Sequence, residues 1–84
     1  MICPEDHRYL PDLEDLPDSQ AGPGRHKCAG CAYEKGLDDA LKGRGRYLDA
    51  NSLYYSQAGT GRHKDVYAAY DLGYSIGLRR RPRR

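Results

Sequence analysis

Two stretches of this chain are nearly the same, and no other feature constrains its fold as strongly. Ser19-Gln20-Ala21-Gly22-Pro23-Gly24-Arg25-His26-Lys27 returns 37 positions later as Ser56-Gln57-Ala58-Gly59-Thr60-Gly61-Arg62-His63-Lys64. The correspondence continues: Ala32-Tyr33 aligns with Ala69-Tyr70, Gly36 with Gly73 and Leu41 with Leu78, so that 12 of 23 positions are identical between residues 19–41 and 56–78. A supersecondary unit this short cannot bury its apolar face alone, so like units pack together. Features kept in both copies should serve the shared unit, and features of one copy need a separate reason.

Each copy opens on Arg-Tyr-Leu, at Arg8-Tyr9-Leu10 and Arg46-Tyr47-Leu48. The repeats therefore span about 8–41 and 46–78 within one domain, 1–78. An irregular segment follows, acidic and Pro-rich at 11–18 and a short strand or turn at 49–55. Gly-x-Gly then marks a loop, and Arg-His-Lys leads into a helix. In copy one Ala29, Ala32, Tyr33, Gly36, Leu37, Ala40 and Leu41 recur at three- and four-residue intervals. Val66, Ala69, Tyr70, Gly73, Tyr74, Gly77 and Leu78 repeat the stripe in the same register. Gly43 and Gly45 end the first helix, with Lys42 and Arg44 near its negative pole.

Inside each stripe lies a ridge of small residues, Ala32, Gly36 and Ala40 in one copy and Ala69, Gly73 and Gly77 in the other. Glycine inside a helix costs about 1 kcal/mol relative to alanine, so a close backbone approach is expected there. The fold expected is mainly α, with a small α+β arrangement as the variant. Two tandem loop–helix repeats pack as a pseudo-two-fold pair. A homodimer through the same ridges is the alternative, leaving the chain a monomer or a homodimer.

Composition makes such a domain need help. The chain has nine Leu, two Ile, one Val and one Met, no Phe and no Trp, and its aromatics are eight Tyr. At 84 residues a core that thin usually calls for a metal, a disulfide or a partner. Net charge is +2, but residues 1–20 carry −5 (one Arg, six acids) and residues 21–84 carry +7 (thirteen Lys/Arg, six acids). The last seven residues hold five Arg, and residues 79–84 are expected to be a disordered basic tail. No apolar run is long enough to cross a bilayer, and the N-terminus lacks a signal-peptide pattern. A cytoplasmic protein without a membrane partner is expected, where three cysteines read as metal or redox chemistry.

Cys28-Ala29-Gly30-Cys31 has the spacing of half a zinc site at a helix start, and Cys3 and His7 supply a second pair. Cys₃His is a common structural zinc set. In copy two Cys28 becomes Asp65 and Cys31 becomes Ala68, while Cys3 and His7, with the one-residue offset seen at Arg-Tyr-Leu, fall opposite Leu41 and Gly45. All four ligands are therefore absent together from copy two. His26, the rival fourth ligand, survives there as His63 without a cysteine nearby, so it serves the shared unit and His7 is preferred. The CxxC at a helix start resembles a treble-clef or ribbon zinc module, although the first pair departs from the usual CxxC. Two small buried residues, or a redox pair, are the competing readings.

The shared Gly-x-Gly-Arg-His-Lys at a helix start favours anions, through exposed N–H groups and the helix dipole. Arg25, His26, Lys27, Arg62, His63 and Lys64 add charge and donors, and Arg79, Arg80 and Arg81 extend the basic surface. Tyr54 and Tyr55 lie near enough in sequence to stack on bases. The competing reading makes the loop a turn and cap, with its His and basic residues serving the fold. The motif is neither a P-loop nor a dinucleotide fingerprint, and equivalent histidines in two copies argue against a catalytic centre. The expectation is a zinc-stabilised, non-enzymatic protein that binds DNA or RNA. The alternative is a protein-interaction or inhibitor module, a small regulatory or phage-type protein acting through its acidic N-terminal segment.

Overall fold

The computed structural model describes Leu16 and residues 27–54 and 64–80. Among the described residues the elements are α1 (Ala29–Leu41), a 3-10 turn at Ala50–Ser52, and α2 (Val66–Arg80). No strand forms among the described residues. Both helices start where the apolar stripes start. The segment from Asp49, left between strand and turn by its sequence, is a turn: Asp49 Oδ1 accepts from Asn51 N–H at 3.1 Å and its carbonyl from Ser52 N–H at 3.0 Å.

Helix α1 stops because of Gly43, whose φ of 74° lies in the left-handed region. Gly43 N–H donates to Ala40 O at 3.1 Å and Arg44 N–H to Asp39 O at 2.7 Å. This pair of backward bonds, with glycine in the left-handed position, is the Schellman termination.

The chain then turns back along α2. The Tyr74 hydroxyl donates to Arg44 O at 2.6 Å, Arg46 pairs with Asp71 at 2.9 Å, and Tyr47 N–H donates to the Tyr70 hydroxyl at 3.0 Å. It ends beside the start of α1, where Cys28 N–H donates to Tyr54 O at 2.8 Å. The chain thus descends α2 from Tyr74 to Tyr70 while returning from the end of α1 to its beginning. The two helices consequently run in the same direction, and both begin at one end of the domain.

The helices meet through glycine. A Cβ on Gly36 would collide with Tyr70 O and lie 2.9 Å from Tyr74 N; one on Gly73 would collide with Tyr33 O and lie 3.1 Å from Leu37 N. The contact is reciprocal, since Tyr33 and Tyr70, like Leu37 and Tyr74, occupy matching repeat positions. A Cβ on Gly77 would lie 2.6 Å from the Ala40 Cβ and 2.8 Å from Leu37 O. Here the small-residue ridges face each other within one chain, so they are already occupied and unavailable for a dimer through the same faces. Ala29, Ala32, Tyr33, Ala50, Leu53, Val66, Ala69 and Tyr70 form the core beside this seam. Tyr70 and Val66 are its largest fully buried side chains. With no Phe or Trp to fill space, close backbone approach replaces side-chain volume, and dispersion contacts accumulate over the seam.

Candidate functional site

The two lysines of the shared motif are anchored inside the fold. Lys27 and Lys64 are only 9% and 7% exposed. Lys27 Nζ donates to Leu53 O at 3.1 Å and Lys64 Nζ to Leu16 O at 2.9 Å. A buried ammonium must be hydrogen-bonded to be tolerated. Leu16 and Leu53 are themselves 37 positions apart, so each copy's lysine closes onto the other copy's leucine carbonyl. This differs from the phosphate-contacting role expected from the motif. The long stem crosses to the opposite copy, and the charge is spent on a carbonyl there.

The remaining loop residues, Arg25, His26, Arg62 and His63, lie outside the described residues, as do Arg81, Cys3 and His7. Arg25 and His26 lead directly into Lys27, and Arg62 and His63 into Lys64. Arg79 and Arg80 are exposed and belong to the last turn of α2. The helix therefore continues two residues beyond the point where the sequence suggests a tail. Its C-terminal partial charge favours such cations.

The two helix starts are capped differently. Asp65 Oδ1 accepts from Tyr67 N–H at 2.9 Å and Ala68 N–H at 3.3 Å, an ordinary N-cap. Its counterpart Cys28 is the N-cap of α1 and makes no side-chain capping bond. Cys28 is buried, and Cys31 is partly buried against the core one turn into α1. Among the described residues no group of three or more His, Cys, Asp or Glu gathers as a metal site. The proposed partners Cys3 and His7 fall outside those residues.

One cluster was not anticipated. Asp39, with its side chain 3% exposed, receives Lys35 Nζ at 2.8 and 3.0 Å, Arg44 Nε at 2.8 Å and the Tyr70 hydroxyl at 2.6 Å. Burial alone would push its carboxyl up, but hydrogen bonds from Lys35, Tyr70 and Arg44 outweigh burial and hold it down at about 2. Burial pushes the Tyr70 hydroxyl up, and its bond to Asp39 adds to this. Asp39 has no counterpart in copy two, where Ile76 stands. It ties the end of α1 to α2 and to the returning chain. With its oxygens occupied by donors, it is a brace and not an acid–base centre. The sequence signal was available, as an acid three residues after Gly36 that stands opposite the apolar Ile76 in the other copy.

Arg46 completes that flank, its guanidinium 4.6 Å from the centre of the Tyr74 ring and 2.9 Å from Asp71. Arg44 also bridges to Asp38, and Lys42 pairs with Asp38 at 3.1 Å. These exposed pairs contribute little individually. No described helix is long and apolar enough to cross a membrane. Compared with known protein families, curated proteins and solved structures, the chain matches none.

Proposed function

We propose that this chain is a small metal-stabilised nucleic-acid-binding protein. It is built from two copies of one loop–helix unit related by an approximate two-fold axis. The observation carrying this reading is the common direction of α1 and α2. Because both helices begin at one end, the sequence neighbours of Lys27 and Lys64, Arg25-His26 and Arg62-His63, are candidates for one shared anion surface. Two arginines and two histidines offer charge and donors to phosphate, and a polyphosphate is their natural ligand. Arg79 and Arg80, followed in sequence by Arg81, stand at the opposite end of α2, about 20 Å from its start at 1.5 Å per helical residue. That is roughly the span of six phosphates along one strand.

Zinc belongs to the same reading, held by Cys3, His7, Cys28 and Cys31. Its support is Cys28, which occupies a capping position without capping. Copy two fills that position with aspartate, the better cap. A cysteine there is explained by thiolate ligation, and the ion would fasten the N-terminal segment to α1, where the core is thin.

The test measures binding of a labelled oligonucleotide as a function of salt, together with metal content. The log–log salt slope should be about −3 to −5, for four or five phosphate contacts. About one zinc per chain should copurify, and the Cys28→Ser variant should lose it. Undetectable binding to DNA and RNA at low salt refutes the nucleic-acid reading.

A second reading has one observation in its favour. Lys64 holds the carbonyl of Leu16, which sits between Asp15 and Asp18, so part of the acidic segment is fastened where the basic loops enter. An acidic segment presented there suits a basic protein partner. Charge reversal at Asp12, Glu14, Asp15 and Asp18 would abolish that interaction, whereas reversal at Arg25 and Arg62 would abolish nucleic-acid binding.

A further inference from the structure

Copy two carries four tyrosines that copy one lacks: Tyr54, Tyr55, Tyr67 and Tyr74 stand opposite Pro17, Asp18, Gly30 and Leu37, and Tyr74 is engaged with Arg44 and Arg46. Tyr54 and Tyr67 are not core residues. Tyr54 is 42% exposed and Tyr67 45%. This is an unexpected use of aromatic rings in a chain that has neither Phe nor Trp and fills its seam with glycine and alanine. The shared helical tyrosines behave differently, since Tyr33 and Tyr70 are both buried.

Their placement coincides with the helix starts. The Tyr54 carbonyl accepts the Cys28 N–H that opens α1, and Tyr67 occupies the first turn of α2 with its own N–H on the Asp65 cap. Among the described residues, the hydrogen bonds at these two positions use the Tyr54 carbonyl and the Tyr67 N–H, not the rings. We infer that Tyr54 and Tyr67 are base-stacking positions and that the ligand is single-stranded nucleic acid, an inference that rests on the nucleic-acid reading above. Every base has a face that stacks on an aromatic ring, whereas in a duplex those faces are covered by neighbouring bases. Arginines supply affinity for phosphate on either kind of ligand. Exposed rings at the helix starts favour the unpaired strand. The copies have thus diverged in different ways, with cysteines in copy one and exposed tyrosines in copy two.

The test compares a labelled twelve-nucleotide oligo(dT) with a duplex of equal length, using wild type and the Tyr54→Ala, Tyr67→Ala and Tyr54→Phe variants. Circular dichroism verifies each fold. The single strand should bind at least about tenfold more tightly than the duplex. Each alanine variant should lose roughly 5- to 100-fold in single-strand affinity, and Tyr54→Phe should retain it. Tyrosine emission should fall on adding the strand. Equal affinity for duplex and strand, with both alanine variants binding like wild type, overturns the stacking inference and leaves phosphate binding standing. Absence of binding to either ligand at low salt overturns both.

Discussion

Gly36 lies directly against the main chain of Tyr70, with no space between them for even one methyl group. Gly73 stands in the same relation to Tyr33. An alanine in an open helical position gains about 1 kcal/mol over glycine. At these positions the added carbon meets backbone, which cannot swing aside, so the helices must separate and the sign reverses. Gly36→Ala and Gly73→Ala should each destabilise by more than about 2 kcal/mol in denaturant unfolding. Gly45→Ala, where nothing lies within 4 Å of the added carbon, should leave that contact intact. A Gly36→Ala protein as stable as wild type would contradict the close seam.

The buried lysines separate architecture from binding within one motif. Lys27→Met keeps the apolar stem but leaves Leu53 O without its ammonium partner, and Lys64→Met does the same to Leu16 O. Stranding a buried acceptor costs about 1–3 kcal/mol. Both variants should unfold earlier while keeping the wild-type salt slope in oligonucleotide binding. Arg25→Glu and Arg62→Glu should do the reverse, weakening binding with little change in melting. A salt slope reduced by about one in the lysine variants would return those residues to the phosphate surface.

Much of the helical architecture was legible in the residues. The stripes place α1 and α2, the ridges of Gly36 and Gly73 place their contact, and Gly43 marks the stop. The direction of packing was not legible, because a ridge of small residues fits parallel and antiparallel neighbours equally well. Direction is set by the returning chain, whose contacts from Arg44 to Tyr54 are single hydrogen bonds without periodicity. The role of the shared lysines was hidden for a related reason. A lysine beside Arg-His reads as surface charge, and only its partner, a leucine carbonyl in the opposite copy, reveals the buried ammonium. The matching pair Leu16 and Leu53 lay just outside the aligned segment and was the available clue.

Asp39 should shape the acid limb of the stability curve. A carboxyl held at about 2 against an ordinary 3.8 contributes about 2 kcal/mol at neutral pH. Because the folded value is the lower one, this contribution is complete above 3.8. It shrinks as pH falls towards 2 and is gone below that. Asp39→Asn should be less stable than wild type at pH 7, and the gap should narrow towards pH 2 in urea titrations. Equal stability at pH 7 would show that Lys35, Arg44 and Tyr70 do not hold the carboxylate. Tyr70 acts at the other extreme: its raised value keeps the buried neutral ring favourable until pH climbs past 10.0, above which stability declines.

The two helix starts allow the metal proposal to be tested by exchanging residues between copies. Asp65 caps α2 through two backbone N–H groups, and Asp65→Ala should cost about 1 kcal/mol. Cys28 caps nothing with its side chain, so Cys28→Asp installs in copy one the cap that copy two already has. If Cys28 serves only the helix, this substitution should stabilise the protein by about 0.5–1 kcal/mol under all conditions. If Cys28 holds zinc, the outcome depends on the ion. The substitution should stabilise chelator-treated protein by that amount and destabilise the zinc-loaded protein by several kcal/mol, because ligand loss removes binding energy that is also folding energy. Melting both proteins with and without chelator decides between these outcomes, and an identical gain in both states would remove the metal from the proposal.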